Sequence, residues 1–225
     1  CSVERLDRLV EQAIAWDGPL VAAVLAFDGR RGRRVKLTDS LSALGSAINK
    51  LSARCVRVEL YEVIDDQPPP LRSLYPINAL RNAALAMAHS ELVLCLDVDF
   101  LPCAGLFARL EGGGGALRRQ CTEERTLLVV PAFESCAATC DAARLAREGK
   151  DTLRAAVEAG EARVFASDGR CAGDFPQGHR ATDSERWLRS DGAYTVEHED
   201  GYEPFVIAPR RLSPKYDERF CGCLL

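Results

Sequence analysis

Asp97 and Asp99, separated by one valine, follow directly on the apolar run Leu92 to Leu96. A run of that kind reads as a sheet strand, and open α/β folds bind ligands in the crevice beyond the carboxyl ends of their strands. Two carboxylates delivered there can hold a hard divalent cation. Mg2+ or Mn2+ takes one or two carboxylates and fills its other positions with water and substrate phosphate oxygens. The bland alternative is a solvated acidic pair. The apolar strand in front argues against it, because paired carboxylates carried in behind such a strand are buried and need a counter-ion.

A second group is Asn78, Arg81 and Asn82, at i, i+3 and i+4 of a helix predicted from Pro76 to about His89, and hence on one face. A guanidinium fork flanked by amides suits a diphosphate or a nucleoside edge. A third comprises Glu203-Pro204-Phe205 and Tyr216-Asp217-Glu218-Arg219-Phe220. Charges set between aromatics can bind a sugar, or can form a capped turn and an ion pair, which composition alone favours. His89, His179 and His198 read as structural or solvated. Gly112 to Gly115 lacks the Lys-Ser/Thr of a phosphate-binding loop and reads as a connector, and neither G-x-S-x-G nor H-E-x-x-H occurs.

The elements that must position these groups alternate in the first half. Val3 to Ile14 has helical spacing, and Leu20 to Phe27 is a buried strand. Thr38 or Asp39 caps a helix carrying Leu41, Leu44, Ile48 and Leu51. Cys55 to Val63 alternates as a strand, Pro68 to Pro70 forces an extended loop, a helix lies near Leu106 and Leu127 to Val130 is a strand. The second half has a helix over Asp151 to Ala159, a polar loop over Cys171 to Glu185, and short strands at Tyr194 to Glu199 and Pro204 to Ala208. Alternating strands and helices predict an α/β fold with a mostly parallel central sheet. One domain spans residues 1–225, with an α/β nucleotide-type half to about 133 and a loop-rich half from about 134 sharing one sheet.

The 225 residues are 47% hydrophobic and 28% charged, which fits a soluble globular chain and excludes disorder or a coiled coil. The longest apolar run is far short of a membrane span. A net charge of −4 speaks against a nucleic-acid partner; the basic cluster Arg30, Arg31, Arg33, Arg34 and Lys36 has no aromatic among it and reads as a solvated loop. The ten cysteines show no zinc spacing. Cys55 and Cys95 read as buried thiols, while Cys103, Cys121, Cys136, Cys140 and Cys171 are open to disulfide formation.

Six ordered blocks resemble glycosyltransferase family 49, whose members include the glucuronyltransferases that build the matriglycan of dystroglycan. They are Tyr75-Pro76-Ile77-Asn78-Ala79-Leu80-Arg81-Asn82, Leu96-Asp97-Val98-Asp99-Phe100-Leu101-Pro102, Val129-Val130-Pro131-Ala132-Phe133-Glu134, Thr182-Asp183-Ser184-Glu185-Arg186-Trp187, Tyr202-Glu203-Pro204-Phe205-Val206 and Tyr216-Asp217-Glu218-Arg219-Phe220. The resemblance implies a GT-A fold and a metal-dependent inverting transferase. It would move a sugar, commonly glucuronate, from a UDP-sugar to a glycan hydroxyl in the Golgi lumen, with any membrane anchor outside this chain. Asp97 and Asp99 would be the Mn2+ (or Mg2+) and diphosphate ligands, and Asn78, Arg81 and Asn82 donor-side residues. Glu203 and Asp217 would face donor sugar or acceptor as the candidate bases, with Trp187 shaping the pocket. The family pattern continues past the last block with a later His resembling a third metal ligand, so the loop-rich, acceptor-side half is expected to be incomplete at Leu225. A catalytically impaired nucleotide-sugar-binding module is the alternative. A phosphotransferase using Asp97 as nucleophile fits less well, since Leu101 stands where such motifs have Thr or Val.

Overall fold

The structure is a computed structural model describing residues 1–25, 42, 45, 56–61, 74–136, 140–165, 178–220 and 222–223. The basic cluster, Leu41, Leu44, Ile48 and Leu51 of the expected helix, the proline loop, Cys55 and Cys171 lie outside the described residues. A 3-10 turn, Val3–Arg5, leads into helix α1, Leu6–Trp16, and strand β1, Leu20–Leu25, which pairs parallel with β2, Val56–Tyr61. Val3, Leu6 and Leu9 pack with Ala22 and Val24 in one core cluster, and Val98 lies against it. Val98 therefore anchors the acidic triplet to the core, between two carboxylates.

Strand β3, Leu74–Tyr75, precedes helix α2, Ile77–Met87, with Pro76 at its N-cap position. Leu80 and Met87 of α2 bury against Ala23 and Leu25 of β1, leaving the polar face with Asn78, Arg81 and Asn82 free to turn elsewhere. Strand β4, Leu92–Leu94, ends three residues before Asp97. Helices α3, Leu106–Glu111, and α4, Ala116–Glu123, are joined by a 3-10 turn at Gly113–Gly115. There Gly114 (φ 65°) and Gly115 (φ 73°) occupy the left-handed region that favours glycine. The glycine run is thus a defined corner. Gly18 serves closer packing: a Cβ on it would stand 2.5 Å from the ring of Phe107, which itself lies 5.3 Å from Trp16.

Strand β5, Leu128–Val130, is followed by the antiparallel pair β6, Phe133–Ser135, and β7, Ala162–Val164, with helices α5, Ala142–Glu148, and α6, Lys150–Glu158, between them. Helix α7 is Ser184–Arg189, β8 is Phe205–Pro209, and β9, Gly222–Cys223, pairs antiparallel with β3.

The expectation of a mostly parallel central sheet does not describe these pairings. The three-stranded sheet has the order β4-β8-β5, with β8 antiparallel to both neighbours. Strands β4 and β5 run the same way, as alternating α/β order predicts, but a strand from the second half is inserted between them. This reversal has a functional consequence. Leu94 aligns with Ile207, and Val130 with Phe205. The segment entering β8 therefore lies at the same sheet edge as the segments leaving β4 and β5. Residues 203 and 204 come to the carboxyl end of β4 only because β8 is antiparallel.

Tyr194 to Glu199, expected as a strand, has no regular structure. Its Tyr194 hydroxyl instead donates to the carbonyls of Thr182 (2.8 Å) and Asp183 (3.0 Å), tying the segment to the start of α7. Cys95, Cys103, Cys121, Cys136 and Cys140 are free thiols.

Because Ile207 is 2% exposed in the strand shared by β4 and β5, Ile207→Ala is expected to lower unfolding stability by about 2–5 kcal/mol. Urea denaturation followed by circular dichroism measures it; a loss below about 0.5 kcal/mol would contradict the role of β8 as the sheet's central strand.

Candidate active site

Asp97 to Phe100 form a turn in which the Phe100 N–H donates to the Asp97 carbonyl at 3.0 Å. The turn is held from outside by Gln12 of α1, whose side chain is buried. Its Nε2 donates to the carbonyl of Asp97 at 2.9 Å and to that of Phe100 at 2.8 Å. One amide group thus satisfies two turn carbonyls and ties the first helix to the acidic triplet.

The carboxylates are not buried, as the apolar strand had suggested: the Asp97 side chain is 43% exposed and that of Asp99 53%. The chain leaves the sheet after Leu94, so the triplet rides out on a turn. The counter-ions nevertheless exist. Arg81 Nη2 stands 2.8 Å from Asp97 Oδ1, and Arg5 Nη1 is paired with Asp99 Oδ2. Burial works against the Arg81 charge, but the hydrogen bond and charge of Asp97 more than offset it, and its pKa lies above the ordinary value. Arg81 also lies over the Tyr216 ring, 5.2 Å from its centroid. Burial, reinforced by Cys95, pushes the Tyr216 phenol up. Tyr75, beside the same group, is pushed up to about 12, chiefly by burial.

The two asparagines of the predicted triad face the chain rather than open space. Asn78 Nδ2 donates to the Asp217 carbonyl at 2.8 Å. Asn82 donates to the Tyr216 carbonyl at 2.9 Å and to Glu218 Oε1 at 2.8 Å, and its Oδ1 accepts from the Tyr216 N–H at 2.9 Å. Their side chains dock residues 216–218 on α2, while Arg81 between them reaches Asp97.

The two carboxylates expected as bases differ. Asp217 accepts from the Arg219 N–H at 3.0 Å and from its guanidinium at 2.9 and 2.5 Å. The Arg219 bonds hold it below the usual carboxylate range. Saturated with donors, it forms the capped turn and ion pair that composition favoured. Glu203 is exposed and carries its N–H on the Gly178 carbonyl at 2.7 Å. It stands next to an aromatic cluster: Phe100 packs on Phe205 (4.7 Å between centroids) and Phe165 (4.9 Å), and His179 packs on both. Burial lowers the His179 pKa, with Glu203 opposing. The cluster links the Asp97 turn directly to the entry of β8.

Trp187 is engaged elsewhere, against Phe133 at 5.7 Å with Lys150 Nζ 4.6 Å above its ring. Arg5, Gln12 and His179 were missed as site residues because nothing in their local spacing marks them. Their partners lie far off in sequence, 94 residues away for Arg5 and 85 and 88 for Gln12.

Replacing Gln12 by leucine keeps the bulk, takes the side-chain donor from the Phe100 carbonyl and leaves the Asp97 carbonyl with the Phe100 N–H as its donor. Unfolding stability should fall by about 1–3 kcal/mol, with thermal melts as the measurement. An unchanged melting temperature would remove Gln12 as the clamp of the turn.

The chain is similar to known proteins over nearly its whole length. It is 32% identical over 221 residues to xylosyl- and glucuronyltransferase LARGE2 of Rattus norvegicus, covering 98% of this chain and 29% of that protein. It is 31% identical over 225 residues to the Homo sapiens protein of that name, covering 98% and 27%. Against glycosyltransferase-like protein LARGE of Caenorhabditis elegans it is 28% identical over 225 residues, covering 98% and 32%. The chain thus spans about a third or less of the length of these relatives. The family model described as glycosyl-transferase for dystroglycan matches residues 47–224, a stretch that holds the Asp97 turn, the polar face of α2 and the entry of β8. On that match, which takes in all six sequence blocks, the chain belongs to glycosyltransferase family 49.

Proposed function

We propose that this chain carries the donor site of a metal-dependent, inverting glycosyltransferase of GT-A type. It would transfer a sugar, glucuronate, from a UDP-sugar to a hydroxyl of a glycan acceptor. The observation that carries the reading is the turn at Asp97 and Asp99: two half-exposed carboxylates beyond a sheet strand, pinned by Gln12 and flanked by two guanidiniums. The names of the relatives, xylosyl- and glucuronyltransferase, supply the class of sugar.

The donor set fits Mn2+ or Mg2+. Both candidate ligands are hard carboxylate oxygens, half-exposed on one turn. That suits a cation that keeps positions for water and phosphate oxygens. Asp97 and Asp99 would hold it, and when bound it would act as a Lewis acid toward the departing diphosphate. Arg81, fixed by Asp97 and by stacking on Tyr216, supplies fixed positive charge on the diphosphate side. Asn78 and Asn82 contribute by holding residues 216–218 beside it.

Inversion needs a base on the face opposite the leaving group, on a different segment from the acidic turn. Glu203 meets this requirement better than Asp217. It lies in the segment entering β8, its side chain is exposed, and the aromatic cluster next to it offers a sugar an apolar face. A positioned carboxylate taking the acceptor proton contributes roughly a hundred- to ten-thousandfold. The Golgi lumen is the compartment that fits such glycan chemistry. Among the described residues no helix is long and apolar enough to cross a membrane.

Calorimetric titration of UDP is the test. Binding is expected with Mn2+, to vanish with EDTA, and to be lost in Asp99→Ala; UDP binding indifferent to both EDTA and Asp99→Ala would sink the donor-site reading. With UDP-glucuronate and a glycan acceptor, Glu203→Gln is expected to slow turnover by about a hundredfold or more while retaining UDP binding. Asp217→Asn should lose far less. The reverse order would assign the base to Asp217.

A further inference from the structure

Arg5 and Arg81 both pair with the acidic turn, but their surroundings differ. The Arg81 side chain is 28% exposed, lies over Tyr216 and also reaches Asn78 Oδ1 at 3.4 Å. It is built into the fold. Arg5 is 53% exposed, ends the short 3-10 turn before α1, and its side chain is paired with Asp99 Oδ2, itself on a side chain 53% exposed. An ion pair this open to water is held weakly and screened by salt. Arg5 also lies outside residues 47–224, where the family pattern is matched.

Charge balance gives this asymmetry a consequence. Two carboxylates and two guanidiniums already cancel. A divalent cation that takes Asp99 Oδ2 displaces the guanidinium there and, entering alone, leaves the turn with an excess of positive charge. A diphosphate entering with the cation restores the balance, because the negative charges of its phosphates offset that excess. The displaced guanidinium, tethered at residue 5, is then beside the incoming phosphate oxygens, with which it can form a forked, charge-assisted contact.

We infer that Arg5 is the exchangeable counter-ion of Asp99: it holds the carboxylate until a cation takes its place, then turns to the diphosphate that arrives with that cation. The inference rests on the donor-site reading above and adds to it a residue that couples metal binding to nucleotide binding. Arg5 makes Mn2+ alone bind poorly and Mn2+ with UDP bind well.

The test is calorimetry of Mn2+ on wild type, R5Q and R5K, each without and with UDP, and of UDP on the Mn2+-loaded forms. Without UDP, R5Q should bind Mn2+ more tightly, by up to about fivefold, the limit set by an exposed ion pair. UDP should bind Mn2+-loaded R5Q several-fold more weakly than loaded wild type, so the two effects have opposite signs. R5K, which keeps the charge, should retain the wild-type order, and high salt should shrink the gap in Mn2+ affinity. A merely structural role for Arg5 would weaken both affinities together, and that result, or no change in either, overturns the inference. If wild type binds no Mn2+ even with UDP, the donor-site reading itself falls and this inference with it. Mn2+-dependent UDP binding that R5Q leaves untouched overturns the inference alone.

Discussion

Two like charges one residue apart, carried out of a sheet on a tight turn, must be neutralised and held before the chain can close around them. Much of the described structure answers that requirement. Helix α1 supplies Gln12 to the carbonyls of the turn, the residue before α1 supplies Arg5, and α2 supplies Arg81. Val98 pins the triplet from below by packing on the core cluster of α1 and β1. Each anchor uses a different force. Val98 removes apolar surface from water, Gln12 satisfies carbonyls, and the arginines cancel charge.

Helix α2 divides its labour by face. Leu80 and Met87 bury against β1, while Asn78, Arg81 and Asn82 look the other way. On that polar face the middle residue serves the acidic turn and the outer two hold the chain at 216–218. An amide can donate and accept at once, and Asn82 does both with Tyr216, as a strand neighbour would. The pairing of asparagine with backbone places Tyr216 beneath Arg81, and the ring then supports the guanidinium that neutralises Asp97. The helix face and the C-terminal segment are therefore one unit.

The parts of this arrangement that were legible in the sequence are those encoded locally. An apolar run ending in Asp97-Val98-Asp99 announces a strand and an acidic turn because both features lie within a few residues. The i, i+3, i+4 spacing of Asn78, Arg81 and Asn82 announces a shared face for the same reason. That two of the three would grip backbone was not readable, since the partners stand 139 and 134 residues away. The place of β8 was hidden likewise: Pro204 to Ala208 reads as a strand, but nothing in it says that it lies antiparallel between β4 and β5. Burial of the carboxylates was overestimated because hydrophobicity reports where a strand lies, not where the chain turns after leaving it. The capped turn at Asp217 was legible, since Asp217 and Arg219 are close enough to find each other unaided.

The inserted strand is what brings the segment before β8 to the same end of the sheet as the acidic turn. Were β8 parallel to its neighbours, its carboxyl end, residues 209 onward, would meet the acidic turn. Glu203 would then stand at the opposite edge. Reversal brings Glu203 and Phe205 in instead, and the contact of Phe205 with Phe100 fixes their distance from the turn. The acidic turn and the exposed Glu203 thus come from segments that reach this end of the sheet in opposite chain directions, joined by an aromatic cluster rather than by covalent proximity. An antiparallel strand set between parallel ones gathers residues from both halves of the sequence at one end of the sheet, and the ring contacts of Phe100 with Phe205 and Phe165 hold them together.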